Sequence, residues 1–249
     1  MNKYQVSNRN FGIEIEFQRR VSNAEIISAL EGAGIKVRST GYEHTVGQTE
    51  KWTLKPDGSL GSNGMELVSP ILSGQEGIDQ VRKVVEVLKE VAFVDDRCGI
   101  HVHHEVGRVV DRIQKRTIRN VYKVYRAAQK ELYSRVIEES RHYNNYCTAL
   151  PPLDAVSSIR LKRLSRYHAV NFTAVEIFGT IEFRQYQGCL DQDKLEGWIL
   201  LTQAIVEYAA QVQMVSDKEV EKIDHLFGNR LYVTGEELKK MRLLLKNAA

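Results

Sequence analysis

Residues 11–17, FGIEIEF, alternate strictly between apolar side chains and glycine or glutamate. In an extended strand the apolar members fall on one face, while Glu14 and Glu16 fall on the other. Glutamate is a poor strand former, and two carboxylates on one side of a strand repel each other unless a cation bridges them. The segment therefore predicts a sheet with one face in a core and one acidic face.

Size and composition favour one folded unit. The chain has 249 residues and is 43% hydrophobic, which suffices for one sizeable core. We expect a single domain over residues 1–249, with residues 216–249 as a helical C-terminal extension of unknown role. The three cysteines are far apart and form no CxxC pair, so the sequence predicts neither a disulfide framework nor a thiolate zinc site.

The charge balance bears on partners and location. A formal net charge of +3, from 35 basic and 32 acidic residues, is too slight to favour nucleic acid or an anionic membrane. The N-terminus has no apolar stretch of the kind found in secretory signals, and the most apolar segment, residues 198–210, is too short to span a bilayer. We therefore expect a cytoplasmic protein without a membrane partner; the oligomeric state stays open.

Strand and helix patterns are mixed along the chain. Strands are predicted at 11–17, in a hairpin over 51–70, and at 98–104, 168–172 and 180–186. Helices are predicted after Ser22 and Ser73, each with a glutamate three residues later, and over 109–139, 191–212 and from Thr234 onward. The short hairpin favours antiparallel pairing, so the predicted class is α+β with helices over the apolar sheet face.

Three predicted strands carry titratable or cationic groups opposite their apolar side chains: Glu14 and Glu16, His101 and His103, Glu182 and Arg184. Convergence of these faces would form a site. The alternative for each strand alone is a solvated outer face of a half-exposed sheet. For Arg184 alone, an ion pair with Glu182 is the favoured interpretation, whereas a site for phosphoryl transfer would use it as a fixed cation.

The candidate ligands favour hard metal ions. Oxygen-rich ligation by Glu14, Glu16, Glu66 and Glu182 suits Mg²⁺ or Mn²⁺. The pair His101 and His103, taken alone, would equally suit zinc, iron or a cupin-type centre. The first alternative function is therefore a metal-dependent hydrolase or oxygenase of cupin type.

The second alternative is a non-catalytic binding protein that uses a basic helix. Basic residues recur at steps of three and four along the long predicted helix: Arg112, Arg116, Arg119, Lys123, Arg126 and Lys130. A solvated helix face is the favoured interpretation of such a stripe. The more specific hypothesis is a binding surface for an anionic partner. Cys98 lies near His101, but no second element clearly supplies a base and an orienting acid, so a thiolate nucleophile is rejected.

Six strings, in order along the chain, are similar to the motifs of one enzyme family. They are FGIEIEF at 11–17, KPDGSL at 55–60, MELVSPIL at 65–72, CGIHVH at 98–103, Arg166 with Asn171, and GTIEFRQYQGCLD at 179–191. Together they cover roughly residues 9–210 and resemble the amidoligases, which are carboxylate–amine ligases of the glutamine synthetase and glutamate–cysteine ligase superfamily. His104 departs from the pattern, because an aliphatic residue is expected there, and leaves open which imidazole faces a metal.

The resemblance implies a curved antiparallel sheet of the glutamine-synthetase type, with helices on its convex face, that binds ATP and divalent ions, Mg²⁺ or Mn²⁺. ATP would phosphorylate the carboxylate of a small molecule or peptide, and an amine would displace the phosphate. The implied metal ligands are Glu14, Glu16, Glu66 and Glu182, with His101 or His103 as a further ligand or nucleotide contact.

The resemblance also implies roles for groups beyond the metal ligands. Arg184 would hold the transferring phosphoryl group, and Arg166 and Asn171 would contact substrate or phosphate. Asp57, on the predicted hairpin, is a further candidate for binding substrate or nucleotide. From loop composition, residues 141–164 are a candidate lid, and Tyr146 within them either shapes a substrate pocket or packs within the loop.

Overall fold

The computed structural model describes residues 6–41, 50–107, 112–152, 161 and 164–213. The predicted extension over residues 216–249, including the helix predicted from Thr234, lies outside the described residues. The strands are β1 (Phe11–Arg19), β2 (Val37–Ser39), β3 (Trp52–Pro56), β4 (Gly64–Val68), β5 (Ala92–Phe93), β6 (Gly99–Glu105), β7 (Val170–Asn171) and β8 (Thr180–Gln187). The helices are α1 (Asn23–Gly32), α2 (Gly74–Val91), α3 (Arg112–Arg135), α4 (Ala174–Phe178) and α5 (Gln192–Gln211), and short 3-10 turns occupy Gly58–Leu60 and Glu139–Arg141.

The strands form one open sheet in the order β2-β3-β4-β1-β6-β8-β7, with β5 paired to the end of β1. The pairings are antiparallel except that of β2 with β3, which is parallel. The predicted antiparallel pairing is found everywhere in the described sheet except at this edge, so the sheet is mixed. A strand as short as β2 carries no periodic signal, and its parallel pairing depends on a crossover that the sequence does not reveal.

The apolar face of β1 lies in the main core. Phe11, Ile13, Ile15 and Phe17 are each at most 2% exposed. They share one cluster with apolar residues of α2, α3 and α5, and α5 packs against β6, α2 and α3. Burial of each such side chain stabilises the fold by about 1.5–3 kcal/mol. The predicted α+β class, with helices over the apolar face, is confirmed.

Helix α5 is apolar around most of its circumference because it lies between the sheet and other helices. Trp198 is fully buried and stacks on Tyr186 of β8, with ring centroids 4.8 Å apart and an interplanar angle of 13°. Asp191 caps the helix by accepting hydrogen bonds from the backbone of Asp193 and Lys194. Among the described residues, no helix has the length and hydropathy needed to cross a bilayer.

Two predicted elements differ in length from the structure. The helix predicted over 109–139 is α3, which ends at Arg135 and is followed by the 3-10 turn at Glu139–Arg141; residues 108–111 lie outside the described residues. The strand predicted over 168–172 shrinks to β7, because the Asn171 side chain accepts hydrogen bonds from Thr173 and the chain turns into α4.

The two predicted helix starts behave differently. Ser22 and Glu25 form the predicted capping box at α1, with hydrogen bonds in both directions. Ser73 does precede α2, but its side chain makes no capping hydrogen bond, so the capping box predicted with Glu76 is wrong.

Candidate active site

A chamber of about 590 Å³ opens on the polar face of the sheet. The three polar strand faces meet there because β1 lies between β4 and β6, and β6 lies beside β8. The floor is not a solvated sheet face, since five of its titratable or charged residues are at most 7% exposed. These are Glu16, Glu66, His101, Glu182 and Arg184.

Both predicted histidines of β6 face the chamber. His101 Nδ1 lies 2.9 Å from Glu14 Oε2 and 3.7 Å from Glu182 Oε1. His103 Nε2 lies 3.4 Å from Glu14 Oε1 and 3.8 Å from Glu182 Oε1, while its Nδ1 lies 2.9 Å from Thr180 Oγ1. The two imidazoles and two carboxylates therefore form one compact group.

The third histidine, His104, belongs to the core face. It is fully buried, its Nε2 lies 2.8 Å from Thr202 Oγ1, and its ring packs edge-on against Phe183. Burial lowers its pKa well below the usual value, with Arg9 and His103 acting in the same direction. His104 thus occupies the aliphatic position of the pattern as a neutral ring, and both of the other imidazoles face the chamber.

A second group of acids lies where β1 pairs with β4. Glu16 is directly opposite Glu66 in the antiparallel register, and Lys55 of β3 is opposite Glu66 on its other side. The Lys55 ammonium lies 2.7 Å from Glu66 Oε2, and the Gly99 backbone N–H donates to Glu16 Oε2 at 2.6 Å. Asp57, on the hairpin, lies near enough to Glu16 and Glu66 to share a cation with them.

The pKa values of these carboxyl groups diverge. Burial raises the pKa of Glu66 well above the usual range, and repulsion from Glu14 adds to the effect; burial likewise raises the pKa of Glu16. Burial acts in the same direction on Glu14, but the neighbouring imidazoles of His101 and His103 outweigh it and hold the pKa of Glu14 low. Burying several carboxylates close together is energetically unfavourable unless further cations neutralise them.

The residues present fit a divalent ion. Three overlapping groups bring their ligand atoms within 4.8 Å of one another: Glu14, His103 and Glu182; Glu14, Glu66 and His101; Glu16, Asp57 and Glu66. In the described chain, His103 Nε2 is buried without a hydrogen bond, although it faces Glu14 and Glu182. A set dominated by carboxylate oxygens with two imidazoles suits Mg²⁺ or Mn²⁺.

Arg184, Glu182 and Asn171 form a chain of polar contacts on β8 and β7. Arg184 Nη1 donates to Glu182 Oε1, and Asn171 Nδ2 donates to Glu182 Oε2 at 2.6 Å. Arg184 Nε also donates to the Tyr146 carbonyl at 3.3 Å. The ion pair favoured for Arg184 alone is therefore present, and it fixes a guanidinium at the chamber floor.

A β-bulge follows Arg184 on β8. Between the pairs Ile100–Tyr186 and Val102–Phe183, β8 has one residue more than β6. Arg184 lines the chamber, as alternation from Glu182 requires, while Gln185 and Tyr186 both lie on the buried side, against Tyr125 of α3 and Trp198 of α5.

Sequence reasoning missed Arg141, which is 2% exposed and lines the chamber. Its guanidinium donates to the carbonyl of Arg184 at 2.9 Å and packs over Gly99, where a Cβ atom would lie 2.6 Å from Nη2. Arg141 lies in an irregular segment without periodicity. The available signal was the glycine at the start of β6, since glycine in a strand marks close approach of another group.

Arg166, Tyr146 and Tyr167 line the chamber from its wall and are exposed. Arg166 lies over the Tyr167 ring at 5.3 Å, and the two tyrosine rings meet edge-on at 5.8 Å. The predicted lid over 141–164 lies partly outside the described residues. Its described portion is held by hydrogen bonds, among them Leu150 N–H to Gln129 Oε1 at 2.8 Å.

Two other sequence hypotheses concern residues outside this set. Cys98 is fully buried, and burial raises its pKa to about 12, in agreement with its rejection as a nucleophile. The basic residues of α3 do not form one solvated face, because Lys123 is buried and Arg116 and Arg126 donate to backbone carbonyls; this corrects the favoured interpretation of the stripe. The Arg112 side chain lies outside the part of the chain that the structure describes.

Comparison with known families agrees with the geometry. Residues 7–164 match the profile of a family described as "Putative amidoligase enzyme". The chain belongs to this amidoligase family. The match includes β1, β3, β4 and β6. Glu182 and Arg184 lie beyond the matched range.

Among solved structures, the chain is similar to one titled "Crystal structure of novel glutamine synthase homolog", and the alignment has a TM-score of 0.48 at 12% sequence identity. The alignment covers 96% of this chain and 64% of that one. No curated protein matches the sequence.

Proposed function

We propose that this amidoligase uses ATP and divalent ions to join a carboxylate to an amine through an acyl phosphate. The observation that carries the proposal is the convergence of four glutamates and two histidines on one buried sheet face, beside the guanidinium of Arg184. In the reaction, a carboxylate oxygen attacks the terminal phosphorus of ATP and ADP leaves. The amine nitrogen then attacks the acyl carbon, loses a proton and expels phosphate.

The predicted ligands would hold the ions, Mg²⁺ or Mn²⁺: Glu14, Glu16, Glu66 and Glu182, with His101 and His103 and with Asp57 at the hairpin. Bound ions would neutralise the negative charge of the phosphate oxygens. Glu14 and Glu182 hold the imidazole rings in place, and Lys55 keeps Glu66 oriented toward the chamber.

The cationic side chains have separate tasks in this proposal. Arg184 is held by Glu182 and the Tyr146 carbonyl, so its guanidinium is fixed before the phosphoryl group arrives. A preorganised donor of this kind lowers a barrier because it need not reorient as charge develops. Asn171 fixes Glu182 from the opposite side, and exposed Arg166 contacts the incoming substrate or phosphate.

Activity tests use a screen of small acids, peptides and amines for metal-dependent ADP release, with mass spectrometry of the products. Arg184→Ala and Glu182→Gln should each lower turnover by roughly 100-fold or more, as expected for loss of a transition-state contact. The control is Glu31→Gln, which removes an exposed carboxylate of α1 and should leave turnover unchanged. Failure to bind ATP at saturating metal, with no ADP release, would contradict the proposal.

Metal binding is tested separately by Mn²⁺ titration, followed by electron paramagnetic resonance and by thermal unfolding. Mn²⁺ should raise the unfolding temperature, because it relieves repulsion among buried carboxylates and binds only the folded chain. Glu66→Gln should weaken that shift, whereas Glu31→Gln should not.

The cupin-type alternative predicts tightly retained zinc or iron and no affinity for ATP. It also predicts a closed barrel, whereas the described sheet is open and surrounds its histidines with carboxylates. The non-catalytic alternative predicts that the cellular role survives combined replacement of Glu16 and Glu182 by alanine.

A further inference from the structure

Exposed hydrophobic side chains of the described chain are concentrated around the chamber. Seven large hydrophobic residues are exposed, and five of them line the chamber: Ile71, Tyr146, Tyr167, Ile177 and Phe178. Only Phe93 and Tyr143 of this set lie elsewhere. An apolar surface collected around a concave site marks contact with a ligand.

The strand registers give the chamber two unlike ends. One end, where Glu16 pairs with Glu66 and Glu66 with Lys55, carries charges of both signs. Lys55, Arg97 and Arg141 line it together with the carboxylates of Glu16, Asp57 and Glu66. We call this the charged end.

The opposite end lies where β1 and β8 begin and β6 ends. Phe11 bridges Leu72, which brings Ile71 beside the start of β1, and Glu105 pairs with Thr180, which follows α4. Ile71, Ile177 and Phe178 line this end together with the exposed carboxylate of Glu105. We call it the apolar end.

The apolar end is in direct contact with the candidate catalytic groups. The Phe178 ring meets His103 edge-on, with ring centroids 5.9 Å apart. Gly179, at φ 73°, ends α4 and turns the chain into Thr180, whose hydroxyl lies 2.9 Å from His103 Nδ1. A group seated against Phe178 therefore lies next to the metal-ligand cluster rather than on a remote surface.

We propose that the amine substrate carries an aliphatic or aromatic group and that this group binds the apolar end, against Ile71, Ile177 and Phe178. The protonated amine faces Glu105, whose Oε2 accepts a hydrogen bond from Asn10 at 2.9 Å. Charge complementarity selects the amine over the acid for this end, because the exposed Glu105 carboxylate attracts a protonated amine and repels a carboxylate. The inference rests on the proposed ligase function and names the class of one of its substrates.

The test is calorimetric binding of ammonium, n-butylamine, n-hexylamine and 2-phenylethylamine to the full chain with Mg²⁺ and a non-hydrolysable ATP analogue. Affinity should rise along the aliphatic series by up to about fourfold per methylene that is buried. Ile177→Ser and Ile71→Ser should remove most of that gain without affecting ammonium. Phe93→Ser, at a residue 41% exposed outside the chamber, should leave the series unchanged.

Other outcomes overturn the inference. Equal affinity for short and long amines, or no binding of hexylamine at its solubility limit, contradicts an apolar subsite. If affinity rises along acetate, butyrate and hexanoate and not along the amines, the apolar end binds the acid substrate instead. If sedimentation shows that wild type is a dimer and that Ile177→Ser disrupts it, the apolar surface contacts a second copy of the chain instead. Binding needs no turnover, so loss of the ligase function would appear separately as absent ADP release.

Discussion

At the scale of single residues, the acids of the chamber are partly neutralised by cations from three parts of the chain. Lys55 reaches Glu66 from the neighbouring strand, Arg184 reaches Glu182 along its own strand, and Arg141 enters from the 3-10 turn. Only Arg184 was predictable from spacing. The position of Lys55 depends on strand register, and Arg141 lies in an irregular segment. Neither feature produces a periodic pattern in the sequence.

Gly99→Ala tests how closely Arg141 is seated. The added Cβ would lie 2.6 Å from Arg141 Nη2, so the guanidinium must move from its buried position. We expect a loss of about 1–3 kcal/mol in unfolding free energy, typical of overpacking, together with reduced ADP release. Gly32→Ala is the control, since nothing lies within 4 Å of its Cβ position. Wild-type stability and turnover in Gly99→Ala would show that Arg141 is not held there.

Glu207→Gln tests a carboxylate outside the chamber. Burial acts to raise the Glu207 pKa, but hydrogen bonds from Arg9 and Ser7 outweigh it and lower the pKa. A lowered folded-state pKa stabilises the protein above the unfolded-state pKa, and this contribution is lost as pH falls through the folded-state value.

Urea unfolding at a series of pH values should therefore show Glu207→Gln less stable than wild type at neutral pH by about 0.5–1 kcal/mol. The difference should shrink in acid, below the ordinary glutamate pKa. A difference that is constant with pH would mean that the ion pair with Arg9 contributes nothing through its charge.

At the scale of elements, the two helix starts give a matched pair. Ser22 accepts a hydrogen bond from the Glu25 backbone, whereas the Ser73 side chain caps nothing. Ser22→Ala should lower the unfolding free energy by about 1 kcal/mol, and Ser73→Ala by clearly less. Chemical denaturation measures both, and equal losses would contradict the assigned difference.

The same pair shows how far element prediction reaches. Both sequences carry serine with glutamate three residues later, and both do start helices, but the side-chain geometry depends on the incoming backbone. The bulge on β8 is a similar case. Alternation correctly put Glu182 and Arg184 on one face, but the extra residue after Arg184, which leaves both Gln185 and Tyr186 on the buried side, has no local signature.

At the scale of the whole molecule, alternation in three strands was enough to predict the chamber floor. Apolar residues at every second position of β1 must face the core, so the glutamates between them share the opposite face. The order of strands then decides which faces meet, and length and composition do not encode that order. The chamber wall was harder to predict from the sequence, because Tyr146, Arg166 and Tyr167 lie in irregular segments.

The central claim is that the carboxylate substrate is activated by phosphorylation. Once a substrate acid is found, its carboxylate is labelled with ¹⁸O, and the inorganic phosphate released during amide formation is analysed by mass spectrometry. The account predicts that one labelled oxygen moves from the acid to phosphate for each amide formed. Amide formation with unlabelled phosphate would contradict it.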